Sequence, residues 1–78
     1  MPGKEFAGFR IVVNTRDERG HKPHVHVIKA GAKCKIVLDR SLTPYDIVRM
    51  PMRDVQKARE LVGEHFGYFI GLWEKFNG

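Results

Sequence analysis

The chain has 78 residues, of which 42% are hydrophobic and 29% charged. The length predicts a single domain over residues 1–78 with one small core, which argues against a multidomain enzyme, and the hydrophobic content argues against a disordered chain. The formal net charge is +5, and residues 1–49 hold ten basic and five acidic side chains, whereas residues 50–78 hold four of each. The excess positive charge therefore belongs to the first part, which favours nucleic acid or an acidic protein as partner.

The sequence pattern predicts neither a membrane span nor a secretory signal. No apolar run approaches the roughly 20 residues that cross a bilayer, and the opening residues lack an apolar stretch. We therefore expect a cytoplasmic protein with no membrane partner. Cys34 is the only cysteine, which excludes an internal disulfide and a multi-cysteine zinc site. It alternates in phase with Ile36 and Leu38, so we expect it to be a small core residue.

The first part of the chain alternates apolar and polar residues with the period of a β-strand. Strands are predicted over residues 9–15, 24–29 and 33–39, joined by a polar loop at 16–23 and a short turn at 30–32. Residues 45–50 fit neither the strand period nor the helix period. A fourth, edge strand and a short helical turn both remain open for them.

From Pro51 or Met52 onward, apolar residues recur at three- and four-residue steps, which predicts one long helix. His65 falls within this apolar stripe, and we expect it to be a core histidine. The predicted fold class is α+β, with a three- or four-stranded antiparallel β-meander packed on one long C-terminal α-helix.

Three of the four histidines lie in the segment HKPHVHV, residues 21–27. Residues two apart on a strand point to the same side, so His24 and His26 form a pair. If Val25 and Val27 face the helix, this pair faces solvent. The same face should receive three basic residues of the neighbouring strands, Arg10, Lys33 and Lys35. Two imidazoles among fixed positive charges suit a phosphate group.

The first hypothesis is that this surface binds nucleic acid or cleaves RNA. One imidazole would take the proton of a 2′-hydroxyl while the other protonates the leaving oxygen, as in a metal-independent ribonuclease with His24 and His26 as its catalytic residues. No cofactor is required. The phosphates would be held by basic residues of the sheet face and the loop, namely Arg10, Lys33, Lys35, Arg16 and Lys22. Alternatively, the histidines are structural residues that pack and hydrogen bond with their neighbours.

A metal site is a third interpretation of the histidines. His24 and His26 offer two nitrogen ligands, and His21 or a loop carboxylate such as Asp17 or Glu18 could add a third ligand. The cationic neighbours oppose the binding of a dication, so no metal is expected in the first instance.

Gly63, Gly67 and Gly71 recur every fourth residue, and each costs about 1 kcal/mol relative to alanine in a helix interior. They could form a shallow groove for a docked partner or a homodimer. The interpretation that we favour is that they mark a helix that is bent or interrupted near Gly67 to wrap around the sheet. The small size and the glycine row support a second functional hypothesis, a non-catalytic module such as an antitoxin or an inhibitor. Its basic sheet face or its helix would dock onto an acidic or nucleic-acid-handling partner.

The runs GFRI (8–11), PHVHV (23–27) and AKCKI (32–36), together with a closing helix that contains Trp73, resemble the small prokaryotic family catalogued as domain of unknown function 4160. The resemblance covers nearly the whole chain, and PHVHV is its most specific part. It places His24 and His26 at signature positions and Arg10 at the basic position of the first strand. It implies a stand-alone member of a toxin–antitoxin-like gene pair with a partner from the paired gene, and it implies no catalytic residue.

Overall fold

The computed structural model describes residues 2–14 and 22–77. In chain order they form five strands and two helices: β1 (Gly3–Phe6), β2 (Phe9–Val12), β3 (His24–Lys29), β4 (Ala32–Val37), β5 (Pro44–Val48), α1 (Met52–Glu64) and α2 (Phe66–Asn77). The strands form one antiparallel meander in the order β1-β2-β3-β4-β5. The predicted α+β class and the antiparallel meander are therefore confirmed.

The prediction of three or four strands is wrong, because the sheet has five. The additional strand is β1, which the sequence pattern does not reveal because Phe6 is its one large apolar residue. The segment 45–50, left open between an edge strand and a helical turn, contributes to strand β5. β5 lies at one edge of the sheet and β1 at the other.

Two-residue turns close the first and third hairpins. Ala7 and Gly8 connect β1 to β2, and Ala30 and Gly31 connect β3 to β4; all four residues have positive φ. Positive φ at both central residues is typical of a type I′ turn, whose twist matches that of the flanking strands. Alanine in this conformation is strained, because its Cβ approaches the following carbonyl oxygen.

The single long helix predicted from the apolar periodicity is wrong, because the chain forms two helices that meet at His65. The backbone of His65 (φ −114°, ψ 27°) leaves the helical region, and its N–H donates to the carbonyl oxygen of Leu61. The interruption favoured for this region is therefore present, two residues before Gly67. The His65 imidazole is half-buried and stacks on Phe6, with ring centroids 4.6 Å apart. Neither described helix is long and apolar enough to cross a membrane.

The core lies between one face of the sheet and the two helices. The sheet contributes the alternating apolar residues of β2, β3 and β4, and the helices contribute residues three or four apart. Cys34 belongs to this core as predicted, and burial raises the pKa of its thiol to about 11. The main buried contributors are Phe9, Ile11, Val25, Val27, Ile36, Val55, Ala58, Val62, Phe69 and Trp73.

A hydrogen-bonded turn between β4 and β5 is fastened to α1. The Asp39 carboxylate accepts hydrogen bonds from the backbone and the hydroxyl of Ser41, and the hydroxyl bond holds the pKa of Asp39 below its ordinary value. From α1, the Arg59 guanidinium donates to the carbonyl oxygens of Leu42 and Ser41, at 2.9 and 3.0 Å. This clamp fixes the position at which β5 begins.

Candidate functional site

The strand register places the predicted basic residues on the sheet face opposite the core, here called the outer face and defined by Arg10, His26, Ile28, Lys33 and Lys35. One row across the sheet reads Glu5, Arg10, Ile28, Lys33, Val48, and the next reads Gly3, Val12, His26, Lys35, Tyr45. Adjacent strands lie about 4.8 Å apart, so the Arg10 and Lys33 backbones are separated by about 10 Å.

The prediction that His24 faces solvent is wrong. His24 is 2% exposed, and the centroid of its ring lies 5.2 Å from that of Trp73 and 6.1 Å from that of Tyr45. Its Nδ1 lies 2.8 Å from the carbonyl oxygen of Lys22. Because a carbonyl oxygen only accepts, Nδ1 carries the proton in this hydrogen bond. His24 is therefore a buried structural residue, covered by side chains from α2 and β5 that are distant in sequence.

His26 is half-buried beside His24, with ring centroids 5.1 Å apart, and it pairs across the sheet with Lys35. The Lys35 ammonium lies 3.2 Å from the Asp46 carboxylate and 5.8 Å from the centre of the Tyr45 ring. Part of the positive charge on this row is thus compensated within the chain.

This geometry does not provide the acid–base pair of a ribonuclease. General acid–base catalysis requires each imidazole to reach the substrate, and the burial of His24 prevents that contact. Within residues 2–14 and 22–77, no group of three or more His, Cys, Asp or Glu side chains is arranged to hold a metal ion. His21, Asp17 and Glu18, which complete the proposed metal site, lie outside the described residues, as does Arg16.

A bulge in β5 opens a groove on the outer face. Lys33 pairs with Val48 and Lys35 with Tyr45, so β5 has one more residue than β4 between these two pairs. Asp46, inside the bulge, has a φ of 50°, and the local ladder is interrupted there. Beside it lies an open groove of about 660 Å³, lined by His26, Val27, Ile28, Lys33, Cys34, Lys35, Asp46, Ile47 and Val48.

Three aliphatic side chains of the groove are exposed to solvent. Ile28 is 37% exposed, and Ile47 and Val48 are each 41% exposed. The sequence contained a signal for each of these residues. Ile28 lies on the same side of its strand as the histidines, and Ile47 and Val48 fit neither the strand period nor the helix period. Sequence reasoning nevertheless assigned them no function, since the groove depends on the β5 bulge.

The other described basic residues that were predicted to bind a phosphate lie on the surface. Arg10, Lys33 and Lys22 are exposed. The salt bridges among the described residues involve Lys29 and Lys35, but neither Arg10 nor Lys33. Within the described part of the chain, Lys33 and Arg10 are thus exposed cations outside any salt bridge, with Glu5 on the strand next to Arg10.

The glycine row is divided by the helix break. Gly63 lies in α1 against the turn before β5, where an added Cβ would be 3.2 Å from Cδ1 of Leu42. Gly67 and Gly71 lie in α2, and an added Cβ would meet nothing within 4 Å at either position. The three glycines therefore do not form one continuous groove along a single helix.

Comparison with known proteins agrees with the resemblance found in the sequence. No curated protein and no solved structure matches the chain. The family model for a domain of unknown function (DUF4160) matches residues 8–74, which include β2 to β5, α1 and most of α2. The chain therefore belongs to the DUF4160 family.

Proposed function

We propose that this protein is a non-catalytic interaction module whose outer face docks onto an acidic surface of a partner protein. The observation that carries the proposal is the groove beside β5, in which exposed aliphatic side chains lie next to lysines. A paired-gene setting of the toxin–antitoxin type, implied by the family resemblance, makes the product of the adjacent gene the first partner to test.

Charge supports an anionic partner. Lys33 and Arg10 share one row of the outer face and enter no salt bridge among the described residues. An acidic partner would be drawn toward this face at long range and would pair with both side chains on contact.

The apolar content of the same face favours protein over nucleic acid. Ile28, Ile47 and Val48 line the groove as exposed aliphatic side chains, with lysines next to them, and exposed apolar surface bordered by polar residues is typical of a protein–protein interaction site. Single-stranded nucleic acid is instead held by stacking on exposed aromatic rings. The Tyr45 ring on this face is only half-exposed, with Lys35 and His24 beside it.

RNA binding without cleavage is the second candidate. Arg10 and Lys33 are exposed about 10 Å apart on one row, a spacing that would allow contacts to phosphates along one strand of RNA. In this case affinity would fall steeply with salt and would not depend on the aliphatic side chains.

The test is to purify the tagged protein co-expressed with the product of the adjacent gene, treat the sample with nuclease, and measure complex formation by size exclusion with light scattering. The proposal predicts a nuclease-resistant complex. A double charge reversal, Arg10→Glu with Lys33→Glu, should weaken it by roughly tenfold or more.

The matched control is Arg53→Glu with Lys57→Glu, which changes the net charge equally at two exposed positions of α1. This control should leave the affinity within about twofold of wild type, since exposed charges far from an interface contribute little. A complex that dissociates on nuclease treatment, with retention of single-stranded RNA of mixed sequence by the purified protein, would favour the second candidate. Absence of both complexes would contradict both.

A further inference from the structure

We propose that the groove beside β5 binds an extended segment of the partner protein in which an aliphatic side chain lies next to Asp or Glu residues. This inference rests on the proposed function and adds the chemistry of the segment that the outer face recognises. The aliphatic side chain would lie over β4, with Ile28 of β3 on one side and Ile47 and Val48 of β5 on the other, and a neighbouring carboxylate would pair with Lys33 of β4.

The apolar half of this site is formed by two strands. Ile28 extends from β3, and Ile47 and Val48 extend from the bulged edge strand β5. The groove volume of about 660 Å³ falls within the range of roughly 300–1,000 Å³ that is usual for binding pockets. An aliphatic side chain placed in the groove, against Ile28, Ile47 or Val48, removes apolar surface of both partners from water.

The charged half of the site is asymmetric. Lys35 is engaged by the Asp46 carboxylate at 3.2 Å, whereas Lys33 enters no salt bridge within the described part of the chain. For a carboxylate of the incoming segment, Lys35 is therefore already in a salt bridge, whereas Lys33 is in none within the described residues. This difference places the main ionic contact at Lys33, beside Val48.

The bulge also indicates how the segment is held. Asp46 and Arg49 both have positive φ, so the outer edge of β5 does not present a regular row of backbone groups. Bulged edges resist the addition of another strand. Side-chain insertion into the groove, not backbone pairing along β5, is therefore the mode of recognition that the geometry favours.

A second copy of the chain fits this site poorly. Each copy carries a formal net charge of +5 and the same two groove lysines, so face-to-face association would bring like charges together. An acidic segment has the complementary charge. The groove therefore favours a different protein over self-association.

The test is selection from a phage-displayed library of random dodecapeptides against the purified wild-type protein. Enriched peptides should contain Leu, Ile or Val within two positions of Asp or Glu. They should bind Ile47→Asp at least about tenfold more weakly than wild type, because the substitution puts a carboxylate into the apolar part of the groove. Thermal unfolding of each variant verifies that it is folded.

Met52→Asp is the matched control, since Met52 is a 60% exposed apolar residue that does not line the groove. It introduces the same carboxylate outside the groove and should bind the peptides within about twofold of wild type. A parallel selection against Lys33→Glu should enrich Lys or Arg in place of the acidic residues. Enrichment of peptides without an acidic–aliphatic pattern, equal binding to Ile47→Asp, or no enrichment would overturn the inference.

The outcome is separable from that of the proposed function. If the complex with the adjacent gene product depends on Arg10 and Lys33 but tolerates Ile47→Asp, the groove inference fails and the docking function stands. Competition for the groove by single-stranded RNA of mixed sequence, abolished by Ile47→Asp, would assign the groove to nucleic acid and overturn the peptide inference.

Discussion

The imidazole of His24 packs against the indole of Trp73, with ring centroids 5.2 Å apart. This contact joins the first residue of β3 to a residue of α2 that lies 49 positions later in the sequence. It assigns the most conspicuous residue of the PHVHV run to the stability of the fold. The surface that we propose to be functional is then the one formed by the residues around the β5 groove.

His24→Ala should lower the free energy of unfolding by roughly 2–4 kcal/mol, because it removes a buried ring and leaves a cavity beside Trp73. His26→Ala should cost less, since His26 is only half-buried. Urea unfolding followed by Trp73 fluorescence measures both. A loss below about 0.5 kcal/mol for His24→Ala would show that the ring is not part of the packed structure.

The sequence was sufficient to predict β3, the start of the helical region and the core position of Cys34, because these depend on local periodicity. It predicted the outer-face positions of Arg10, Lys33 and Lys35 for the same reason. It did not predict the cover over His24, since Trp73 and Tyr45 reach it through tertiary packing. The strand β1 was missed because it has no distinctive local pattern, whereas the glycine row indicated a helix break near Gly67 and the break lies two residues earlier, at His65.

Ala30→Asn should raise the free energy of unfolding by about 1 kcal/mol. Ala30 has a φ of 46° in the turn between β3 and β4, a conformation that costs an alanine about 1–2 kcal/mol and that asparagine adopts more readily. Ala30→Val should lower the stability, because a β-branched side chain is still less compatible with positive φ. Thermal unfolding of the two variants checks the prediction, and the same sign for both would contradict it.

Gly71→Ala should raise the free energy of unfolding by up to about 1 kcal/mol, because Gly71 is interior to α2 and an added Cβ meets open space. Gly63→Ala should raise the free energy of unfolding by less, since the added Cβ would lie 3.2 Å from Cδ1 of Leu42. Chemical denaturation compares them. If the glycines formed a docking groove, Gly71→Ala would also weaken the partner complex, whereas docking on the outer face predicts no change in its affinity.

Cys34 should make the stability of the protein fall at alkaline pH. Burial raises the pKa of its thiol from 9.0 to about 11, so the unfolded chain ionises first as the pH rises. The stabilisation is complete below the unfolded pKa and is lost between about pH 9 and 11. Urea titrations across this range should show a smaller decline for Cys34→Ala than for wild type. An equal decline would show that the thiol does not contribute.

The central claim is that the outer face around the β5 groove is the functional surface of this protein. It is tested most directly by following the backbone amide signals of isotopically labelled protein while the unlabelled product of the adjacent gene is added. We predict that the largest changes occur at Ile28, Lys33, Ile47 and Val48, with α1 and α2 little affected. Changes concentrated on Gly67, Gly71 and the exposed side of α2, with the groove residues unchanged, would contradict the claim.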